Sequence, residues 1–179
     1  MEGVLGGSKM KMSGHRVSGN YGTHLAALIR TMFLTSGDVL ELGMGFFSTP
    51  FLHYQCMISD RKLVSYENNK AWARWFIKYG YENPNHEIRH VNDWDDADIE
   101  KPWDVALVDH SPDFRRVKDI RRLASFAKYI IIHDSNKEHE KDYHYSTIYP
   151  LFKHRKVWTK DKRHVDVLSN LVNLDNLWE

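Results

Sequence analysis

The segment Val39-Leu40-Glu41-Leu42-Gly43-Met44-Gly45-Phe46-Phe47-Ser48 joins an apolar run to an acid, two glycines and the start of a helix. Glycines at a strand-to-helix turn let backbone N–H groups come close to a ligand. An acid two residues before the first glycine can hold a cationic or hydroxyl-bearing group beside that turn. Dinucleotide sites place their acid at the end of the second strand and use a third glycine to seat a pyrophosphate. Here Phe47 or Ser48 stands where that glycine would be. The pattern favours a nucleoside with a charged tail and no pyrophosphate, and counts against a nicotinamide-dependent reductase. Three more polar groups close apolar runs further on: Glu67 after Leu63-Val64-Ser65-Tyr66, Asp109-His110 after Val105-Ala106-Leu107-Val108, and His133-Asp134-Ser135-Asn136 after Tyr129-Ile130-Ile131-Ile132. Carboxylates in such a set suit cation binding, and a histidine suits proton transfer near neutral pH.

These groups need elements to hold them. Residues 1–19 read as a flexible leader rich in Gly, Ser and Lys, and residues 20–179 as a single domain. Leu25, Leu28, Ile29 and Met32 recur at helical spacing between Tyr21 and Thr35, with Gly37 placed to cap the end. A helix is expected from about Ser48 to Met57. Another follows Asn68 or Asn69 and carries Trp72, Trp75, Phe76 and Tyr79 on an apolar face, read as core. His86 to Val91 is a third strand, followed by an acidic loop, Asn92 to Glu100. Ser111 and Pro112 open a helix with Phe114, Val117, Ile120 and Ala124 towards the core and Arg115, Arg116, Lys118, Arg121 and Arg122 elsewhere. A helix near Ser146–Phe152 and two strands, Lys156–Thr159 and His164–Leu168, complete the chain. Strands alternating with helices and closed by a hairpin predict an α/β fold: a Rossmann-like, seven-stranded, mostly parallel sheet with helices on both faces. Ligands in such sheets bind at the carboxyl ends of the strands.

Bulk composition narrows the class. The 179 residues are 42% hydrophobic and 27% charged with a net charge of +1, the balance of a globular domain and no general reason to expect nucleic acid. No apolar run reaches membrane-spanning length, and no secretion signal is recognisable, so no membrane partner and a cytoplasmic location are expected. The single cysteine, Cys56, excludes an internal disulfide and reads as a small buried hydrophobe.

Taken together, these segments resemble the class I S-adenosylmethionine-dependent methyltransferases from about Tyr21 to Leu168. The resemblance implies that Glu41, Gly43, Gly45 and Ser48 wrap the methionine part of S-adenosylmethionine. It puts Glu67 on the ribose and Asn92, Asp93 and Trp94 near adenine, with Asp109 and His110 also touching the cofactor. Tyr21 and Thr23 would roof the pocket; the plain alternative is a helix start.

Val108-Asp109-His110 and His133-Asp134-Ser135 further resemble small-molecule O-methyltransferases of the catechol type. That likeness implies methyl transfer to a hydroxyl of a small-molecule acceptor, with Asp109, His133 and Asp134 as catalytic candidates. It also implies a metal-assisted variant with magnesium, Mg2+, on Asp109, Asp134 and Asn136. Ser135 stands where those enzymes have the asparagine ligand, Asn136 lies one place later, and Pro112 replaces their base lysine. His133 has a bland alternative as a core histidine, and the run Glu138–His144 reads as a solvated loop or a lid. The competing functions are methylation of nucleic acid or protein, favoured by the basic residues of 115–122 and 153–163, and a binding module without catalysis. Aromatic residues Trp158 and Trp178 offer a contact for a homodimer.

Overall fold

A computed structural model of the protein describes residues 19–179; the expected leader lies, except for Gly19, outside the described residues. Seven strands form one sheet: β1 (Val39–Leu42), β2 (Leu63–Glu67), β3 (His86–His90), β4 (Trp103–Val108), β5 (Ala127–His133), β6 (His154–Trp158) and β7 (Val165–Ser169). Their order is β3-β2-β1-β4-β5-β7-β6. The first five are parallel, and β7 runs antiparallel between β5 and β6. β1 and β4 are buried along their whole length, as strands of a sheet covered on both faces must be.

Period-two alternation divides the core. Leu40, Leu42, Val64, Ala106, Val108, Ile130 and Ile132 face Ile120 and Leu123 of α4 (Arg116–Leu123). Val39, Leu63, Val105, Leu107 and Ile131 face α1 (Leu25–Phe33), α2 (Ser48–Ile58) and the C-terminal Leu174 and Leu177. Cys56 of α2 is fully buried there, and burial pushes its thiol up to about 12, which fits a packing role. α3 (Lys70–Lys78) starts at Asn69, whose side chain accepts from the N–H groups of Ala71 and Trp72. The chain winds outward from β1 to β3 and then returns to the other side of β1. A switch point therefore opens between β1 and β4 at their carboxyl ends.

Several expectations are corrected. α1 ends at Phe33 with Leu34 as its C-cap, and Gly37 instead donates its N–H to Asp104 Oδ2 at 2.6 Å, where a Cβ would strike that carboxylate. The acidic stretch between β3 and β4 is a loop, as expected, and holds a 3-10 turn at Trp94–Asp96. The helix expected near Ser146–Phe152 is two 3-10 turns, Tyr145–Thr147 and Tyr149–Leu151, because Pro150 has no N–H for the Ser146 carbonyl and its ring would crowd it. α4 begins only at Arg116, after a turn at Asp113–Arg115, so Phe114 is 64% exposed while Arg116, expected outside, is buried. Trp72 and Trp75 are half-buried and stack on each other, and Tyr79 is exposed. Trp158 and Trp178 are half-buried against each other with ring centroids 5.1 Å apart. Among the described residues, no helix is long and apolar enough to cross a membrane.

Candidate functional site

Gly43 closes β1 at φ +87°, and an added Cβ would sit 2.6–2.7 Å from the backbone of Asp109 and His110. Only glycine fits both the conformation and the approach, so the turn is welded to the end of β4. Glu67 ends β2 beside it. One of its oxygens accepts from Met44 N–H at 3.0 Å and the other from Asn69 N–H at 2.7 Å. Burial raises the Glu67 carboxyl, and these N–H donors counter that rise. Gly45 leaves more room, with Ser48 Oγ the nearest atom to a Cβ, at 3.4 Å. The ring of Phe47, the departure from a third glycine, packs against Gly22, where a Cβ would strike it, and so fastens the residues before α1 to the turn.

Glu41 points away from the crevice, onto the face covered by α2. It accepts from Thr49 Oγ1 at 2.9 Å and from its strand partner Ser65 Oγ at 2.6 Å. Ser65 continues to His86 Nε2 at 2.8 Å, and His86 Nδ1 lies 3.0 Å from His53 Nδ1. Burial pushes the Glu41 carboxyl up to about 7, against the hydroxyls of Ser48, Ser65 and Thr49 that favour its charge.

The ends of β4 and β5 meet in a second cluster. Asp109 Oδ1 pairs with Arg116 Nη2 at 2.9 Å, and Oδ2 lies 3.2 Å from His133 Nδ1 and 3.9 Å from His24 Nδ1. Burial alone would raise the Asp109 carboxyl; the charges of His133 and Arg116 overcome it and hold the group well below the carboxylate range. Burial disfavours charge on His133 too, but Asp109 prevails and its pKa is raised. Arg116 also donates from Nε to the His110 carbonyl at 2.7 Å, and its guanidinium lies over Tyr143. Asp134, in the left-handed region at φ +58°, accepts from Arg163 and from Tyr143 Oη at 3.2 Å. Such a conformation in a non-glycine residue persists where neighbours fix it.

The expected residues thus fall into groups. Gly43, Gly45, Glu67, Asp109 and His110 come together at the carboxyl ends of β1, β2 and β4, while Ser48 joins Glu41 behind the turn. Trp94 is buried and stacks on His110 with centroids 4.1 Å apart, whereas Asn92 and Asp93 are exposed. Thr23 Oγ1 is hydrogen-bonded to His133 Nε2 at 2.9 Å, and Tyr21 lies outside, under Arg163. The all-oxygen set for magnesium is not gathered: Asn136 donates to the Lys162 carbonyl and accepts from His164 N–H, and Asp134 is held by Arg163 and Tyr143. The sequence does not single out His24, Arg116, Tyr143, Arg163 or Tyr145, whose hydroxyl donates to the His133 carbonyl at 3.1 Å. Arg116 had one available signal: it lies four residues before Ile120, on the same face of the helix.

No protein-family profile matches the chain. Among curated proteins, 85 residues are 35% identical to the chloroplastic 3-phosphoshikimate 1-carboxyvinyltransferase of Arabidopsis thaliana, covering 46% of this chain but only 16% of that protein. Solved structures give a broader likeness. Human methyltransferase-like protein 13 in complex with SAH superimposes with a TM-score of 0.62 at 13% identity over 83% of this chain and 82% of that one. An rRNA methylase from Streptococcus thermophilus gives 0.57 at 12% over 84% and 97%, and the N-terminal domain of human METTL16 in complex with SAH gives 0.55 at 9% over 84% and 70%. The fold of this chain is therefore the Rossmann-like α/β fold of S-adenosylmethionine-dependent methyltransferases.

Proposed function

We propose that this protein is an S-adenosylmethionine-dependent methyltransferase whose acceptor is a hydroxyl of a small molecule. The observation that carries the reading is Glu67, anchored to the glycine turn by Met44 N–H at the β1–β4 switch point, with Asp109 and His133 at the neighbouring strand ends. The donor would be held by Gly43, Gly45 and Glu67, with Ser48 and His110 nearby; when bound it supplies an electrophilic methyl group on sulfonium. Displacement at that carbon asks the protein for alignment and for somewhere to put the acceptor's proton. Asp109 is too acidic to take it at neutral pH; His133 beside it would take it only from its neutral form, which the Asp109 charge disfavours.

A nucleic-acid or protein acceptor is the second reading, favoured by the names of the solved relatives. Most of the arginines speak for the first, whereas Arg121, Lys153, Lys160 and Lys162 meet no carboxylate among the described residues. Arg115 pairs with Asp93, Asp95 and Asp119, Arg122 with Glu100 and Asp119, Arg155 with Asp166, and Arg163 with Asp134. Cations already neutralised within the fold offer little to a phosphate backbone.

Thermal unfolding with S-adenosylmethionine, its demethylated product or NAD tests the donor. A ligand at a hundred times its Kd stabilises by about 2.7 kcal/mol. The first two should raise Tm and Glu67→Ala should abolish the rise; stabilisation by NAD alone would sink the reading. Transfer of labelled methyl groups to pooled hydroxylated small molecules, against RNA and protein, tests the acceptor. Donor binding without transfer to any of them would identify a non-catalytic binding module.

A further inference from the structure

We infer that His24, Asp109 and His133 form a binding site for a divalent cation of the zinc–cobalt–iron type at the carboxyl ends of β4 and β5. The three residues come from the start of α1 and from two neighbouring strand ends, and their donor atoms lie within 4.8 Å of one another. Both imidazoles turn Nδ1 towards the same carboxylate oxygen, Asp109 Oδ2, at 3.2 and 3.9 Å. Two imidazoles and one carboxylate, with positions left open, suit borderline first-row metals and not magnesium, which prefers oxygen.

His24 supplies the independent observation. It is 2% exposed, yet neither ring nitrogen has a hydrogen-bond partner among the described residues. Buried polar atoms are nearly always satisfied, and an orphaned imidazole facing a carboxylate and a second imidazole has the arrangement of a ligand. The supporting contacts agree. Thr23 Oγ1 on His133 Nε2 orients that ring so that Nδ1 faces the cluster, and Arg116 takes Asp109 Oδ1, leaving Oδ2 for a cation. Because Arg116 offsets the carboxylate charge, affinity rests on the imidazoles, which again disfavours magnesium. Metal–ligand bonds of about 2.0–2.2 Å require the donors to close in on one another, so binding draws His24 towards Asp109. The cation would replace the proton shared by His133 and Asp109. The site stands on its own residues and does not require the donor to be S-adenosylmethionine.

The test uses the full chain, stripped with a chelator, without methyl donor or acceptor. Titration with Co2+, followed by visible absorption and Tm, should show one cobalt per chain, displaced by Zn2+ and untouched by millimolar Mg2+. His24→Gln should weaken cobalt at least tenfold, whereas a variant carrying both His139→Ala and His144→Ala should bind as the wild type does. Equal binding by His24→Gln, or loss in the double variant, would overturn the site. If His24→Gln does not fold, anomalous diffraction from cobalt-soaked wild-type crystals decides: a peak between His24, Asp109 and His133 supports the site, and a peak elsewhere or none rejects it.

Discussion

On the β1–β2 side of the crevice the buried polar groups are satisfied from within. Glu41 takes two hydroxyls, Ser65 links it to His86, and both oxygens of Glu67 hold backbone N–H groups. On the β4–β5 side the polar groups are charged, drawn from four separate segments, and incompletely paired, with His24 orphaned beside Asp109 and His133. The first side is a finished cradle whose chemistry is shape and hydrogen bonding. The second stores uncompensated polarity, which is costly without a ligand and is therefore where reactivity or ion binding is to be sought.

The largest blow to this contrast should come from Arg116→Met. Removing a buried guanidinium leaves Asp109 Oδ1 and the His110 carbonyl without this partner, and loss of one partner of a buried ion pair costs about 3–5 kcal/mol. Urea denaturation should show that loss, and Arg116→Lys should not restore it, since one ammonium cannot span both acceptors. On the other side, Gly43→Ala forces a Cβ into backbone atoms at φ +87°, a strain of about 1–3 kcal/mol, and should abolish donor binding in the same thermal assay.

Glu41→Gln sharpens the comparison through pH. Glu41 is raised from 4.5 to about 7, so the folded state holds the extra proton and stability falls as pH rises through that window. His86, held by burial down to about 3 from 6.5, acts oppositely, because the unfolded chain takes the proton and stability falls on acidification. The two offset each other between pH 4.5 and 6.5. The glutamine variant removes the compensating acid, so its stability should fall more steeply on acidification, by up to about 1.4 kcal/mol per pH unit. An unchanged slope would show that Glu41 ionises normally. The smallest effect is expected at Phe114, exposed beside a shallow depression lined by Ser111, Asp113, Lys141 and His144. Phe114→Ser should leave stability within about 0.5 kcal/mol, with any change confined to KM for the acceptor.

Much of the β1–β2 side was legible because its information is local. Glu41, Gly43, Gly45 and Glu67 are each marked by an apolar run and a turn, and strand-end position follows from the α/β pattern. Phe47 was visible as a departure but not interpretable, since its partner, Gly22, lies across the fold. The other side was legible only in part. Asp109, His133 and Asp134 stood out at strand ends, whereas Asn136 was misjudged as a free ligand because its contacts, Lys162 and His164, belong to the turn before β7. Arg116 was assigned to solvent by helical spacing counted from Phe114, and the later start of α4 rotated that frame.

The sequence by itself determined the order of strands and helices, the closing hairpin and the glycine turn with its acids, because hydrophobic period and turn chemistry are properties of neighbours along the chain. Tertiary structure alone decided that His24 meets Asp109 and His133, that Arg116 is buried between two strand ends, and that Glu41 faces away from the crevice. Those outcomes depend on crossover handedness, sheet register and helix onset, which bring His24 to Asp109 across 85 positions and Glu41 to Ser65 across 24, and leave no mark in local spacing.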